Sequence, residues 1–120
     1  MIVVVNIGNT YSRAELWNGE HFEPLFRVET MRFDPNVLPA GIPAVAATVV
    51  PEVKCRPGAE RIRFIDARNC GNFVDFTQVD TSTLGADRVA NAIALAEFHE
   101  LPAIAVDCGT AITLEIVDAE

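Results

Sequence analysis

Polar residues that could bind a phosphate follow two apolar stretches, one near each end of the chain. The run IVVVNI at 2–7 leads into a Gly-Asn-Thr turn at 8–10, and AIAVDC at 103–108 leads into Gly109-Thr110. In such a turn, backbone N–H groups and a threonine hydroxyl can point at phosphate oxygens, and glycine leaves room where a Cβ would obstruct. One Gly-Thr turn is common in hairpins, but two after similar strands indicate half-domains that face one another across a cleft.

A second group of reactive side chains lies between these turns, in the segment LGADR at 84–88. Asp87 falls in the first turn of a predicted helix, where backbone N–H groups favour the ionised carboxylate, and it could then accept a proton from an attacking hydroxyl. Arg88 could bind the carboxylate of a substrate through its guanidinium N–H donors. Each has an ordinary alternative, helix capping for Asp87 and a surface salt bridge for Arg88. Gly85 just before them and the two framing turns favour the functional interpretation.

Composition limits the classes of function. The formal net charge is −8 and Lys54 is the only lysine, which argues against a nucleic-acid surface. Any phosphate must therefore be held by backbone N–H groups, a divalent ion or a single arginine. No Gly-Lys-Ser/Thr occurs, so a Walker-type P-loop is excluded. The cysteines Cys55, Cys70 and Cys108 stand apart, so neither a zinc site nor a disulfide framework is expected.

Length and hydrophobicity place the chain among globular domains. It has 120 residues, half of them hydrophobic, which is one domain or less with a real core. The apolar runs are short and broken by polar residues, so no membrane-spanning segment is expected. The N-terminus begins directly with a strand-like run and lacks the basic region of a signal peptide, so a cytoplasmic protein is expected.

The elements that must position the candidate residues follow from the apolar patterning. Predicted strands cover residues 2–7, 11–17, 21–29, 44–50, 61–65, 103–106 and 111–117, with a further extended segment at 73–79. The strand 2–7 is predicted to be buried on both faces because it is continuously apolar, and 103–106 is predicted to be a buried strand. Asn18-Gly19 predicts a type I′ turn, in which both central residues take positive φ. The first three strands then form an antiparallel meander.

A helix is predicted from 86 to 99, where apolar residues recur at intervals of three and four. The Thr81-Ser82-Thr83 cluster offers N-cap candidates, and Leu101-Pro102 ends the helix. This helix connects the LGADR segment at its start to the second Gly-Thr turn beyond its end.

Four segments resemble, in order and spacing, the type III pantothenate kinases: GNT at 8–10, VVP at 49–51, LGADR at 84–88 and DCGTAITL at 107–114. That family belongs to the actin/sugar-kinase/Hsp70-like superfamily of duplicated ribonuclease-H-like halves. The resemblance implies an α/β fold, with a ribonuclease-H-like half-domain at 1–100 whose mixed sheet begins with the antiparallel meander and carries helices on its faces. Residues 101–120 would begin the second half with its first hairpin.

The resemblance also implies an activity, the ATP-dependent phosphorylation of pantothenate to 4′-phosphopantothenate, which is the first step of coenzyme A biosynthesis. It implies a need for Mg²⁺ and a monovalent cation, K⁺ or NH₄⁺, and a cytoplasmic homodimer. Asp87 would be the general base and Asp107 a ligand of the monovalent cation. Pantothenate would be held by Gly85, Ala86, Asp87 and Arg88, and ATP by Asn6, Gly8, Asn9, Thr10 and Thr110. Phosphoryl transfer of this kind depends mainly on positioning and charge neutralisation.

Three departures from the family pattern bear on activity. Asn6 stands where the family has aspartate, and an amide lacks the charge that holds Mg²⁺ waters, so a large loss of rate is expected. The tyrosine that usually precedes LGADR is missing, with Gln78 and Phe76 as candidates to replace it. Family members are about twice this length. The alternatives are therefore a degenerate binding or regulatory module, one half of a two-chain enzyme, or another kinase of the superfamily, against which GADR argues.

Overall fold

The structure, a computed structural model, describes residues 1–119. The chain forms two compact units, Met1–Phe64 and a second that begins at Ile65. The first contains a five-stranded mixed sheet, and the second contains an α-helix and a separate β-hairpin. The predicted mixed α/β class is confirmed. The division into domains at 1–100 and 101–120 stays a prediction.

The first unit is organised around its sheet, whose strand order is β3-β2-β1-β4-β5. The strands are β1 (Ile2–Ile7), β2 (Tyr11–Trp17), β3 (Phe22–Glu29), β4 (Ala44–Thr48) and β5 (Ile62–Phe64). The first three pair antiparallel, which confirms the meander, whereas β4 pairs parallel with both β1 and β5. The candidate phosphate turn therefore follows the central strand β1, which is hydrogen-bonded to a neighbouring strand on each side.

One face of β1 forms the centre of the hydrophobic core. Val3, Val5 and Ile7 are fully buried, and Ala14, Phe33, Leu38, Ala46 and Val53 are among the residues that pack with them. On the opposite face Val4 is half-buried and Asn6 is exposed. The prediction that β1 is buried on both faces is therefore wrong for the described residues, because side chains alternate across a strand and apolar packing covers one side.

The turn between β2 and β3 differs from the predicted type I′ geometry. Gly19 has φ of 109°, but no residue other than glycine has positive φ among the described residues, so Asn18 does not. Instead the Asn18 side-chain oxygen accepts hydrogen bonds from the backbone N–H groups of Glu20 and His21, at 2.9 and 3.0 Å. These bonds to the Asn18 side chain satisfy the backbone N–H groups of the loop while Asn18 keeps a negative φ, so the type I′ prediction is wrong.

Short 3₁₀ helices at Thr30–Arg32, Pro35–Val37, Pro51–Cys55 and Ala59–Arg61 connect the strands of the first unit. β4 ends before Pro51, as predicted, although at Thr48 rather than residue 50. An Nη1 donor of Arg56 bonds the carbonyls of Thr30 and Phe33 at 2.8 and 2.6 Å, which fixes the connection that follows β3. The extended segment predicted at 73–79 does not form a strand.

The second unit contains α1 (Ala86–Phe98) and the antiparallel hairpin of β6 (Ala103–Cys108) and β7 (Ile112–Val117). The helix contacts both strands of the hairpin and buries Val89, Ala92 and Leu95. Its N-cap is Gly85, without a side-chain cap, so the prediction that Thr81–Thr83 caps the helix is wrong. A cap must directly precede the first helical residue, and that residue is Ala86. No helix in residues 1–119 is long and apolar enough to cross a bilayer.

The hairpin is buried on one face and not on two. Ile104 pairs with Ile116, and Val106 with Leu114. These four side chains are between 54% and 71% exposed. Residues of the other face are half-buried or buried, and Glu115 is among them. The predicted burial of the strand at 103–106 is wrong for its Ile104 and Val106 face, because the described part of this unit supplies a single helix to cover the hairpin.

Candidate functional site

The first candidate phosphate turn connects β1 to β2 and is held by its own backbone. The N–H of Gly8 donates to the carbonyl of Tyr11 at 3.0 Å. A Cβ at Gly8 would lie 3.1 Å from that same carbonyl oxygen, so the tight turn itself disfavours a side chain there. Asn9 and Thr10 are exposed, and so is Asn6 in β1, opposite Arg13. The first unit thus brings the predicted ATP-binding residues from Asn6 to Thr10 together on one short segment.

Two buried hydroxyls lie next to this turn, one of which bonds it, and the sequence analysis did not identify either. Ser12 and Thr30 are 0% and 2% exposed, and their hydroxyl oxygens lie 2.9 Å apart. The Thr30 hydroxyl donates to the Gly8 carbonyl at 2.7 Å, and its backbone N–H donates to the Thr10 carbonyl at 2.9 Å. The residue just after β3 therefore bonds both ends of the turn.

The LGADR segment forms the start of α1. Gly85 is the N-cap in extended conformation, with φ of −63° and ψ of 144°, and its carbonyl accepts from the N–H groups of Arg88 and Val89. Ala86 is buried, whereas Asp87 is half-buried. An Asp87 oxygen accepts from the N–H of Arg88 at 2.9 Å. The predicted general base thus lies at the helix N-terminus, where exposed N–H groups favour an anion.

Arg88 forms an ion pair with a carboxylate that the sequence analysis did not identify. Its Nε donates to Glu115 at 2.7 Å, and an Nη2 donor bonds the Leu114 carbonyl at 2.9 Å. Asn91, one helical turn later, donates to the other oxygen of Glu115 at 3.1 Å. The Glu115 side chain is 5% exposed and that of Arg88 is 41% exposed. Arg88 thus makes a salt bridge, but to a buried partner, and its guanidinium retains further N–H donors for a ligand.

The second candidate turn connects β6 to β7. Asp107 pairs with Thr113 and is half-buried, whereas Gly109 and Thr110 are exposed. The N–H of Gly109 donates to the Ala111 carbonyl at 3.0 Å. A Cβ at Gly109 would meet this carbonyl oxygen at 3.7 Å, an ordinary contact, so the hairpin does not require glycine here. A ligand that approaches the backbone closely would explain the glycine.

The donors available for metal ions are few. Within residues 1–119 no group of three or more His, Cys, Asp or Glu side chains is arranged to hold a metal. Mg²⁺ in phosphoryl-transfer sites is usually bound by one or two carboxylates, waters and the substrate phosphates, so a cage of protein ligands is not required. The carboxylate of Asp107 and the amide oxygen of Asn6 have suitable chemistry. Their assignment as ion and ATP ligands stays a prediction.

Two carboxylates in the loop before LGADR have lowered pKa values. Backbone and side-chain hydrogen bonds from Thr77 lower the pKa of Asp75. For Asp80 the side-chain bond from Ser82 lowers the pKa most, and the Ser82 N–H adds to it, at 2.6 and 2.9 Å. Both are exposed turn-forming residues, so these shifts stabilise the loop that leads to α1.

The sequence carries a weak signal for Glu115 but none for the two buried hydroxyls. Glu115 is the one charged residue in the apolar strand ITLEIV, and a lone acid in such a strand needs a buried partner. Its pairing with Arg88 spans 27 positions, so only the packing of α1 on β7 reveals it. Ser12 and Thr30 carry no comparable signal, since single hydroxyl residues at strand ends are common.

Known proteins match the chain along its length. A family model described as Type III pantothenate kinase matches residues 2–120. The type III pantothenate kinase of Gloeobacter violaceus is 34% identical over 119 residues, which cover 98% of this chain and 50% of that protein. That of Thermus thermophilus is 30% identical, with 99% of this chain and 56% of that protein covered. The type III pantothenate kinase of Desulfosudis oleivorans is 26% identical, and the match covers 100% of this chain and 56% of that protein.

The class defined by these matches and by the mixed α/β fold is a family of kinases. The chain belongs to the type III pantothenate kinase family, which confirms the resemblance described above. It spans about half the length of the curated relatives it matches, and corresponds to their N-terminal part.

Proposed function

We propose that this chain contributes the pantothenate-binding and general-base portion of an enzyme that phosphorylates pantothenate with ATP, the first step of coenzyme A biosynthesis. The observation that carries the proposal is the arrangement at the start of α1. There Asp87 occupies the first helical turn, and Arg88 is fixed by a buried carboxylate. Family membership over residues 2–120 supports the same activity.

In the proposed reaction Asp87 accepts the proton of the pantothenate primary hydroxyl. The hydroxyl oxygen then forms a bond to the γ-phosphorus of ATP, and the bond from that phosphorus to the β-phosphate oxygen breaks, giving 4′-phosphopantothenate and ADP. Asp87 needs no strong base character, because phosphoryl transfer has little covalent chemistry for the protein to perform and depends on alignment. Its oxygen is already oriented by the adjacent backbone N–H of Arg88.

Arg88 is proposed to bind the pantothenate carboxylate through the N–H donors that Glu115 and Leu114 leave available. Two bonds to β7 hold its guanidinium plane, so little side-chain entropy is lost when a carboxylate binds. Gly85 and Ala86 complete the contact through backbone and small side-chain surface. The Gly85 backbone is extended, a conformation open to any residue, so we attribute the glycine to the space that the substrate needs.

The turns are proposed to bind the ATP phosphates, with Asn6, Gly8, Asn9 and Thr10 in the first and Thr110 in the second. When bound, Mg²⁺ and a monovalent cation would neutralise phosphate charge, with Asp107 as the proposed ligand of K⁺ or NH₄⁺. A homodimer and a cytoplasmic location are proposed on family grounds alone.

A second candidate function is a binding or regulatory module, or one half of a two-chain enzyme. Asn6 is the observation that favours it, because this exposed position at the end of β1 has an amide where the family pattern has an acid. An amide can still accept hydrogen bonds from metal-bound waters, but it does not supply the charge that orders them. Such a module would bind pantothenate through Arg88 and transfer phosphate slowly or not at all.

Calorimetric titration of the chain with pantothenate, with and without ATP and Mg²⁺, tests the proposal. Binding that disappears in Arg88→Met and persists in Asp87→Asn is expected, since Asp87 serves the chemical step. Arg13→Met, which changes an exposed side chain of β2, is the matched control that keeps the binding. Absence of pantothenate binding under every condition would remove the kinase assignment for this chain. Binding without turnover, with turnover restored in Asn6→Asp, would favour the second candidate.

A further inference from the structure

The hydroxyl of Thr30 makes a directed bond within the buried network below the first turn. A threonine hydroxyl has one proton, and here that proton is donated to the Gly8 carbonyl at 2.7 Å. In the 2.9 Å contact between Ser12 and Thr30 the donor is therefore Ser12. Its backbone N–H bonds the Thr10 carbonyl, so Thr30 fixes the carbonyls of the first and last residues of the turn from the protein interior.

Fixing these carbonyls also fixes the N–H groups of the turn. The peptide bond between Gly8 and Asn9 is trans, so the Asn9 N–H points opposite to the Gly8 carbonyl. Since that carbonyl points at buried Thr30, the Asn9 N–H points away from the interior, on the exposed side of the turn. An outward N–H held in one direction is the group that a phosphate oxygen needs.

We propose that Thr30 is a positioning residue that holds the Gly8–Thr10 turn with its Asn9 N–H directed at the phosphate chain of a nucleoside triphosphate. The inference rests on the proposed function for the identity of the ligand, but not for the order of the turn. Thr30 itself makes no contact with the nucleotide, and it acts through the Gly8 carbonyl. A merely structural hydroxyl would stabilise the first unit without a particular effect on this turn.

Four variants separate the two roles. Thr30→Val removes the hydroxyl, and Thr30→Ser keeps it. Ser12→Ala is the matched control, because it removes the neighbouring buried hydroxyl and leaves the bond from Thr30 to Gly8 intact. Thr30→Val leaves the Ser12 hydroxyl buried without its acceptor. The fourth variant, Ser12→Ala/Thr30→Val, removes both hydroxyls, which costs less free energy of unfolding than removing one partner. It replaces Thr30→Val in the tests if that single variant does not fold.

The Gly8 N–H is protected by its bond to the Tyr11 carbonyl at 3.0 Å, so its hydrogen exchange measured by NMR tests the order of the turn without any ligand. Exchange about tenfold faster than in the parent chain is expected in Thr30→Val and in the double variant, because one hydrogen bond of ordinary strength is lost. Ser12→Ala and Thr30→Ser are expected to stay within about twofold of the parent rate. Equal acceleration in Thr30→Val and Ser12→Ala, or none in either, would overturn the positioning role.

Calorimetric titration with MgATP then tests the ligand. About tenfold weaker binding is expected in Thr30→Val and the double variant, with Ser12→Ala and Thr30→Ser near the parent affinity. If Thr30→Val accelerates exchange in the turn but leaves the MgATP affinity unchanged, the proposal that this turn binds phosphate is overturned. If the parent chain itself binds no MgATP, the nucleotide part of the proposed function fails, while the exchange rates still decide whether Thr30 orders the turn.

Discussion

Replacing Arg88 by methionine is expected to destabilise the second unit by leaving Glu115 buried without its cation. The Glu115 side chain is 5% exposed, and in this variant it would keep Asn91 as its described side-chain donor. Breaking a buried ion pair by removing one partner costs roughly 3–5 kcal/mol. Arg88 is 41% exposed, so water already weakens the attraction, and a loss of about 2–3 kcal/mol in the free energy of unfolding follows.

A double-mutant cycle with Glu115→Leu separates the charge effect from the loss of packing. Arg88→Met/Glu115→Leu has no buried charge at this place, so it is expected to recover most of the loss, as paired replacement of buried ions usually does. Urea denaturation followed by circular dichroism gives the four free energies of unfolding, and amide exchange of Val89 assigns the change to α1. On the proposed function, both variants that lack Arg88 also lose pantothenate binding.

The control is the ion pair of Arg13 and Glu15, which is 3.9 Å long with side chains 59% and 30% exposed. Arg13→Met is expected to cost no more than about 0.5 kcal/mol, because exposed pairs contribute little. Two results would refute the reasoning about Arg88. In the first, Arg88→Met lowers the free energy of unfolding no more than Arg13→Met does. In the second, the effects of Arg88→Met and Glu115→Leu on this free energy are strictly additive in the cycle.

Three further predictions concern the turns and the loop. On the proposed function, Asn6→Asp is expected to raise ATP turnover on pantothenate at least about tenfold, because the carboxylate supplies the charge that orders Mg²⁺ waters, and an unchanged rate in a coupled ADP assay would contradict this. Gly109→Ala should leave the melting temperature unchanged, since its Cβ would make only a 3.7 Å contact, yet weaken MgATP binding in calorimetry; unaltered affinity would remove the phosphate role of this turn. Ser82→Ala should raise the pKa of Asp80 towards its ordinary value of 3.8, as measured by NMR titration. Because the folded-state pKa of Asp80 is lowered, the stabilisation by its bonds to Ser82 is present above pH 3.8 and is lost as the pH falls through the lower folded value. Ser82→Ala should therefore lose less stability than the parent chain on acidification.

Much of the fold could be predicted from the sequence because its signals are local. The β-branched run of β1 and the Asn18-Gly19 turn signal between two strand-like runs predicted the meander. The spacing of apolar residues predicted α1 to within one residue at its C-terminal end. The predictions that proved wrong concern choices between competing local solutions. The Asn18 side chain bonds the backbone of its own loop in place of a type I′ turn, and Gly85 replaces the threonine and serine candidates as N-cap.

The sequence by itself determined the family, the LGADR segment at a helix start and the two glycine turns, because short motifs are contiguous and their chemistry depends on residue type. The tertiary structure decided which side chains support them. Glu115 holds Arg88 across 27 positions, and Thr30 holds Gly8 across 22. Such pairings depend on how strands and helix pack, and a buried carboxylate or hydroxyl must find a partner wherever the chain brings one. That requirement is visible in the sequence only as a polar residue in an apolar strand, whereas the identity of the partner is a property of the fold.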